Sequence, residues 1–71
     1  MLATKEDLRK FGVAMRRGRN ARGLSQRMLA ESLKVSLAQI NHVERGENWP
    51  SMKVGIGICR VLKLDLAEAV G

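Results

Sequence analysis

The chain has 71 residues and a formal net charge of +6, from 13 Lys and Arg against 7 Asp and Glu. That length supports one small domain, which we expect to span residues 1–71. Its 1 His and 1 Cys supply neither a catalytic triad nor a metal cluster, so we expect no enzymatic activity and no cofactor. With 1 Phe, 1 Trp and no alternating β-branched runs, the composition also argues against a β-sheet.

The first predicted helix begins after Thr4 and runs to about Ala21. Thr4 and Asp7 have the spacing of a capping box, in which each side chain bonds the backbone N–H of the other. Apolar residues at spacings of three and four form an inward stripe, namely Leu8, Phe11 and Met15. Gly12 and Gly18 fall inside this helix, where a glycine costs about 1 kcal/mol relative to alanine.

Residues 9–27, which include most of this helix, are strongly basic and contain no Asp or Glu. The seven basic residues are Arg9, Lys10, Arg16, Arg17, Arg19, Arg22 and Arg27. So uneven a charge distribution attracts a polyanion such as nucleic acid. On charge alone, a solvated helix face explains the pattern equally well.

Two short helices follow between Ser25 and Gly46. The first is predicted over about residues 25–33, with inward apolar residues Met28, Leu29, Ala30 and Leu33. The second begins at Ser36, which has Gln39 as its capping-box partner, and it buries Ile40 and Val43 before the stop signal at Gly46. Helices this short, joined by so short a turn, must cross steeply. The pattern therefore predicts a helix-turn-helix motif over about residues 25–45, with its second helix over about residues 36–45.

Two more helices are predicted near the end of the sequence. A fourth helix spans about residues 51–62, with inward side chains Met52, Ile56, Cys59 and Leu62. A short fifth helix follows a capping box formed by Asp65 and Glu68. Its apolar residues are Leu66, Ala69 and Val70, a set that one domain does not obviously cover.

These motifs together resemble the Cro and phage-repressor type of helix-turn-helix domain, also called Xre-like, over about residues 10–70. The resemblance is carried by Met15 and Arg19, Leu24-Ser25-Gln26, Leu29-Ala30, Leu33-Lys34-Val35-Ser36, Ile40 and Val43, Glu44-Arg45-Gly46, and Pro50. It implies a compact all-α bundle of five helices of the lambda-repressor-like type. Lys34 departs from the family pattern, because glycine is common at this left-handed turn position, and lysine costs about 1 kcal/mol there.

Helical geometry divides the second helix of the motif into an inner and an outer face. Ile40, Val43 and Glu44 share the inner face. In the family, this helix enters the major groove of DNA. The resemblance therefore implies that base edges are contacted by Ser36, Leu37, Ala38, Asn41 and His42. It implies backbone phosphate contacts by Gln26, Arg27, Arg45 and Asn48.

Several of these residues also have plainer interpretations. His42 is otherwise an ordinary surface histidine, Leu37 a residue partly buried against the turn, and Gln26 an exposed polar residue. Matching positions in the family often form an ion pair, so Arg19 and Glu44 are expected to brace the fold. Trp49 has three competing uses, and we favour capping of the core with some dimer contact over packing along the DNA backbone.

The leading hypothesis is a sequence-specific regulator of transcription that binds double-stranded DNA. We expect a repressor that acts as a homodimer on a palindromic operator, of the Cro-like, phage-repressor, antitoxin or restriction-controller type. The dimer-interface candidates are Trp49, Leu66, Ala69 and Val70. The alternative is a helix-turn-helix module that bridges other proteins, as in co-activators of this fold. We expect no second domain, no small-molecule effector and no membrane association, and the single Cys59 fits a cytoplasmic protein at the nucleoid.

Overall fold

Five helices and no strand make up residues 2–71, the part of the chain that the computed structural model describes. The helices are α1 (Lys5–Ala21), α2 (Gln26–Leu33), α3 (Leu37–Glu44), α4 (Met52–Leu62) and α5 (Leu66–Val70). The predicted all-α architecture is therefore confirmed. Within residues 2–71, no helix combines the length and the apolar character that crossing a membrane requires.

Side-chain caps set the beginnings of the helices, as their spacing predicts. Thr4 and Asp7 form a reciprocal capping box at α1, and Ser36 and Gln39 form another at α3. Asp65 differs from the prediction, because it caps α5 alone. Its carboxylate accepts the N–H groups of Ala67 at 2.9 Å and Glu68 at 3.3 Å, so half of the expected box forms.

The core lies between α1 and the next three helices. α1 packs against α3, α4 and α5, while α2 packs against α3 and α4. The largest fully buried side chains come from four helices and are Phe11, Met15, Leu29, Ile40, Ile58 and Leu62. The helix-turn-helix formed by α2 and α3 is thus held from behind by α1 and α4.

Three residues that the sequence placed inward are exposed. Met28 points to solvent from α2, and Met52 and Ile56 are 82% and 47% exposed on α4. α4 buries Leu62, as predicted, together with Ile58 one helical turn before it, and Cys59 is half-buried. Apolar residues occupy more than one face of α4, so their periodicity alone does not select the buried face. Contact with α1 and α2 selects it.

Two backbone features bring the motif into place. A Cβ at position 12 would lie 2.6 Å from the Glu44 carbonyl oxygen and 2.7 Å from that of Val43, so Gly12 allows α1 and α3 to cross closely. Lys34 adopts the left-handed conformation that its turn position requires, with φ of 57°. The close crossing sets the end of α3 against α1, where the polar residues of the motif meet.

Candidate nucleic-acid interface

A buried carboxylate joins α1 to the end of α3. The Glu44 side chain is fully buried, and Arg19 binds it through Nε to Oε2 at 2.6 Å and Nη2 to Oε1 at 3.1 Å. The remaining Arg19 amino group donates to the Leu24 carbonyl oxygen at 2.8 Å. Arg19 therefore anchors both the end of α3 and the segment that leads into α2.

Two further polar side chains reach the same carboxylate. Gln26 donates from Nε2 to Glu44 Oε1 at 3.1 Å, and Arg16 Nε lies 3.5 Å from that oxygen. Burial alone raises the pKa of the Glu44 carboxyl, but the hydrogen bonds from Arg19 and Gln26 outweigh it and hold that pKa below its ordinary value. Glu44 is thus a charged group shared by α1, α2 and α3.

Gln26 also contacts the outer face of α3. Its Nε2 lies 3.5 Å from Asn41 Oδ1, so the two hydrogens of the Gln26 amide point to Glu44 and Asn41. This contact leaves the Asn41 amide nitrogen free to donate outward. The sequence predicts a phosphate contact for Gln26. Its side-chain donors contact α3 in this structure while its backbone N–H stays available, so the phosphate contact remains a prediction.

The beginning of α2 offers an electropositive surface. The hydroxyl of Ser25 accepts the N–H of Met28 at 3.0 Å. Among the hydrogen bonds of residues 2–71, none uses the backbone N–H of Gln26 or Arg27. Free N–H groups at a helix N-terminus favour an anion. The Arg16 side chain contacts the same Glu44 oxygen as Gln26 and is 55% exposed, so it adds positive charge beside the start of α2. From the sequence alone, Arg16 has no expected role beyond its place among the seven basic residues.

The outer face of α3 carries the predicted base-contacting residues together. Ser36, Leu37 and Ala38 are exposed, while Asn41 and His42 are half-buried beside them. Ser36 also serves as the cap, because its hydroxyl accepts the N–H of Gln39 at 3.1 Å. The predicted phosphate-contacting residues Arg27, Arg45 and Asn48 are also exposed. The predicted site residues are mostly polar, and the apolar Leu37 and Ala38 lie at the N-terminal end of α3.

An acidic residue that sequence reasoning did not consider lies within this surface. Glu47 Oε1 lies 2.6 Å from His42 Nδ1, and Glu47 Oε2 lies 3.3 Å from Arg45 Nη2. The hydrogen bond from His42 holds the pKa of Glu47 below its ordinary value against desolvation, and the charge of Arg45 lowers it further. The sequence did offer one sign of this contact, because Glu47 directly follows Gly46, the predicted stop signal of the helix.

Trp49 lies over the core next to an apolar groove. Its ring stacks on Phe11 with centroids 6.5 Å apart and an interplanar angle of 28°. The groove holds about 590 Å³ and is lined by side chains that include Phe11, Trp49, Met52, Ile56, Leu64 and Leu66. Two dimer candidates, Trp49 and Leu66, line it. The other two, Ala69 and Val70, are half-buried and pack against the core.

The chain matches the model of a family described as Helix-turn-helix over residues 15–68, more than half of its length. The transcriptional regulator ClgR of Mycobacterium tuberculosis is 34% identical over 56 residues, which cover 79% of this chain and 50% of that protein. The chain therefore spans about half the length of the curated relatives it matches.

Two solved structures resemble the chain closely in their backbones. The clp gene regulator ClgR from Corynebacterium glutamicum has a TM-score of 0.78 and 26% identity, over 96% of this chain and 70% of that one. The restriction-modification controller protein C.AhdI from Aeromonas hydrophila has a TM-score of 0.77 and 33% identity, over 89% of this chain and 96% of that one.

Proposed function

Because the chain belongs to the Cro-like, or Xre-like, helix-turn-helix family, we propose that it regulates transcription by binding double-stranded DNA at a specific sequence. It acts as a repressor, as a homodimer on a palindromic operator, at the nucleoid in the cytoplasm. The single observation that carries this proposal is the outer face of α3. That face projects polar side chains, and the Glu44 network fixes the helix behind it to α1 and α2.

The N-terminal and central part of α3 enters the major groove and contacts the base edges. The Asn41 amide nitrogen, left free by Gln26, donates to an acceptor on a base edge, while its oxygen has a second lone pair to accept from adenine. Leu37 and Ala38 meet thymine methyl groups, and Ser36 adds a hydroxyl beside the phosphate backbone. Together these groups supply hydrogen-bond and apolar readout at neighbouring base pairs.

Positioning on the backbone falls to the groups around α3. The free N–H groups of Gln26 and Arg27 lie at the start of α2 and suit one phosphate. Arg16 adds a cation nearby, because it contacts the same Glu44 oxygen as the Gln26 side chain. Arg45 and Asn48 extend beyond the end of α3 toward the next phosphates. The net charge of +6 adds an attraction that does not depend on DNA sequence.

The apolar groove beside α4 supplies the dimer interface. Met52, Ile56 and Leu66 are 82%, 47% and 53% exposed, which is unusual for contiguous apolar side chains on so small a surface. Trp49 and Pro50 line both this groove and a second cavity, which is also lined by His42 and Val43 of α3. A second copy docked on the groove would place two copies of α3 on one face of the DNA, with half-sites about 34 Å apart.

Selection of bound DNA from a random library tests this proposal. We expect an enriched sequence with two inverted half-sites one helical turn apart, and a footprint that covers both. Enrichment of a single half-site would contradict binding as a homodimer. No enrichment, together with weak binding that does not depend on sequence, would favour the bridging-protein alternative.

A further inference from the structure

The chain contains 1 histidine, and a carboxylate holds one edge of its ring. Glu47 Oε1 lies 2.6 Å from His42 Nδ1, and the His42 side chain is 46% exposed. The opposite ring nitrogen, Nε2, is therefore the one left to contact another molecule. The base and phosphate contacts proposed above do not explain why the acidic Glu47 lies beside His42, in a site proposed to bind DNA.

The turn after α3 determines this contact. Gly46 has φ of 71°, its N–H donates to the Val43 carbonyl oxygen at 3.0 Å, and the Glu47 N–H donates to the His42 carbonyl oxygen at 2.9 Å. This is the hydrogen-bond pattern of a Schellman motif. The motif returns the backbone of Glu47 to the last turn of α3, so that its side chain meets His42. Both the backbone and the side chain of Glu47 are thus bonded to the same residue.

The charge of Glu47 is partly offset at the surface. Arg45 takes the second carboxylate oxygen, Oε2, at 3.3 Å, so Glu47 faces the phosphates as a member of a pair rather than as a lone anion. The other side chains that line the adjoining cavity with His42 are uncharged and include Gln39, Asn48 and Trp49. Glu47 and Arg45 are therefore the charged groups that face His42.

We propose that Glu47 is a positioning residue that accepts the Nδ1 proton of His42 and so fixes the tautomer of the neutral ring, the form in which Nε2 faces the DNA as a hydrogen-bond acceptor. The inference rests on the proposed DNA-binding function and deepens it. In the major groove, an acceptor pairs with an exocyclic amino group, which adenine carries at N6 and cytosine at N4. Guanine O6 and thymine O4 are acceptors themselves and leave Nε2 without a partner. On the strand that it faces, His42 thus selects adenine or cytosine over guanine or thymine at one operator position.

Nitrogen NMR of the histidine in the free protein tests the tautomer, since a single imidazole gives an unambiguous signal. We expect the neutral form of the wild-type ring to carry its proton on Nδ1. Glu47→Gln keeps the size of the side chain but removes the obligate acceptor, so the Nε2–H tautomer should gain population. Glu31→Gln is the matched control, because Glu31 is an exposed acid on α2. A wild-type ring protonated on Nε2, whether neutral or as imidazolium near neutral pH, overturns the proposal.

Affinities for the selected operator and its single-base-pair variants test the readout. At the position read by His42, Glu47→Gln should reduce the preference for the amino-bearing base about fivefold, the size of one neutral hydrogen bond. His42→Ala should reduce it at the same position, and Glu31→Gln should not. Loss of an anion near the phosphates by itself strengthens binding to every sequence alike. A uniform change in Glu47→Gln, with every base preference retained, therefore overturns the positioning role.

The proposed function and the readout by His42 can fail separately. If the wild-type protein binds no DNA sequence preferentially, the proposed function fails, and the readout by His42 fails with it. If the wild-type protein selects an operator but His42→Ala changes no base preference, only this inference fails. A preference for guanine at the His42 position would mean that Nε2 donates, which also contradicts it.

Discussion

Arg19 and Glu44 are 25 residues apart in sequence and meet in a two-point ion pair, with Nε–Oε2 and Nη2–Oε1 distances of 2.6 Å and 3.1 Å. The pair joins the last turn of α1 to the last residue of α3, where the Glu44 side chain has no exposed surface. The outer face of α3 is therefore oriented by a charge that cannot be left alone in the core. This dependence makes the ion pair a sensitive test of the architecture.

Arg19→Ala should lower the free energy of unfolding by about 3 kcal/mol, because it leaves the buried Glu44 without its main partner. Arg17→Ala is the matched control, an exposed arginine of the same helix, and should change stability by less than about 0.5 kcal/mol. Urea denaturation measures both. In a double-mutant cycle, Arg19→Ala with Glu44→Ala should cost less than the sum of the single changes. Strict additivity would show that the two side chains do not interact.

Acid should weaken the fold through Glu44. Its pKa is lowered in the folded protein, so the stability that its charge contributes is complete above the unfolded carboxyl pKa of about 4.3 and is lost as pH falls through the lower folded value. The difference in unfolding free energy between the wild type and Glu44→Gln should therefore be largest near neutral pH and shrink in acid. Thermal denaturation across this range measures it. A difference that grows as pH falls would contradict the direction of the shift.

Asn41→Ala should separate reading from positioning. Loss of its amide should weaken binding to the selected operator by about 1–3 kcal/mol and leave binding to scrambled DNA nearly unchanged. Asn20→Ala, an exposed asparagine of α1, provides the control of the same chemistry. Gln26→Ala keeps the backbone N–H at the proposed phosphate and removes the side chain that contacts Asn41, so it should weaken binding to the operator more than binding to scrambled DNA. If Asn41→Ala weakens binding to the operator and to scrambled DNA equally, Asn41 does not contact a base.

Ile56→Lys should block dimer formation by placing a charge in the apolar groove, which desolvation makes unfavourable. Light scattering should report a monomer, and the footprint should shrink to one half-site. Val13→Lys adds the same charge at an exposed apolar residue on α1 and should leave the dimer intact. Because both variants gain one cation, their non-specific affinity for DNA should rise alike. A dimer that survives Ile56→Lys would place the interface elsewhere.

Gly12→Ala should destabilise the fold by about 2 kcal/mol, because the new methyl group would overlap the carbonyl oxygens of Val43 and Glu44 and force α1 away from α3. Gly55→Ala is the matched change in α4. There the nearest atom is Pro50 Cγ at an ordinary 3.5 Å, so the alanine should stabilise by about 0.5–1 kcal/mol through helix propensity. Thermal melts compare the two. A stabilising Gly12→Ala would mean that the helices cross less closely.

The local structure follows from the sequence because its causes lie within a few residues. The caps at Thr4, Ser36 and Asp65 form with partners two or three positions away, and the left-handed turn at Lys34 depends on its neighbours in the chain. The number of helices, their beginnings and the division of α3 into an inner and an outer face could therefore be predicted. So could the family, since the residues that carry the resemblance can be read directly along about residues 10–70.

Only the tertiary structure decided which of several chemically similar residues are buried and which are exposed. Ile58 is buried and Ile56 is exposed, although both are equally apolar, because α1 and α2 cover one side of α4. Gly12 is explained by carbonyl groups more than 30 residues away. The Gln26 amide has a distant carboxylate as its partner, and only packing of α1, α2 and α3 brings that carboxylate within hydrogen-bond range. Periodicity states that a helix has an apolar face, but the neighbouring helices decide which face is covered, because burial depends on every element in contact.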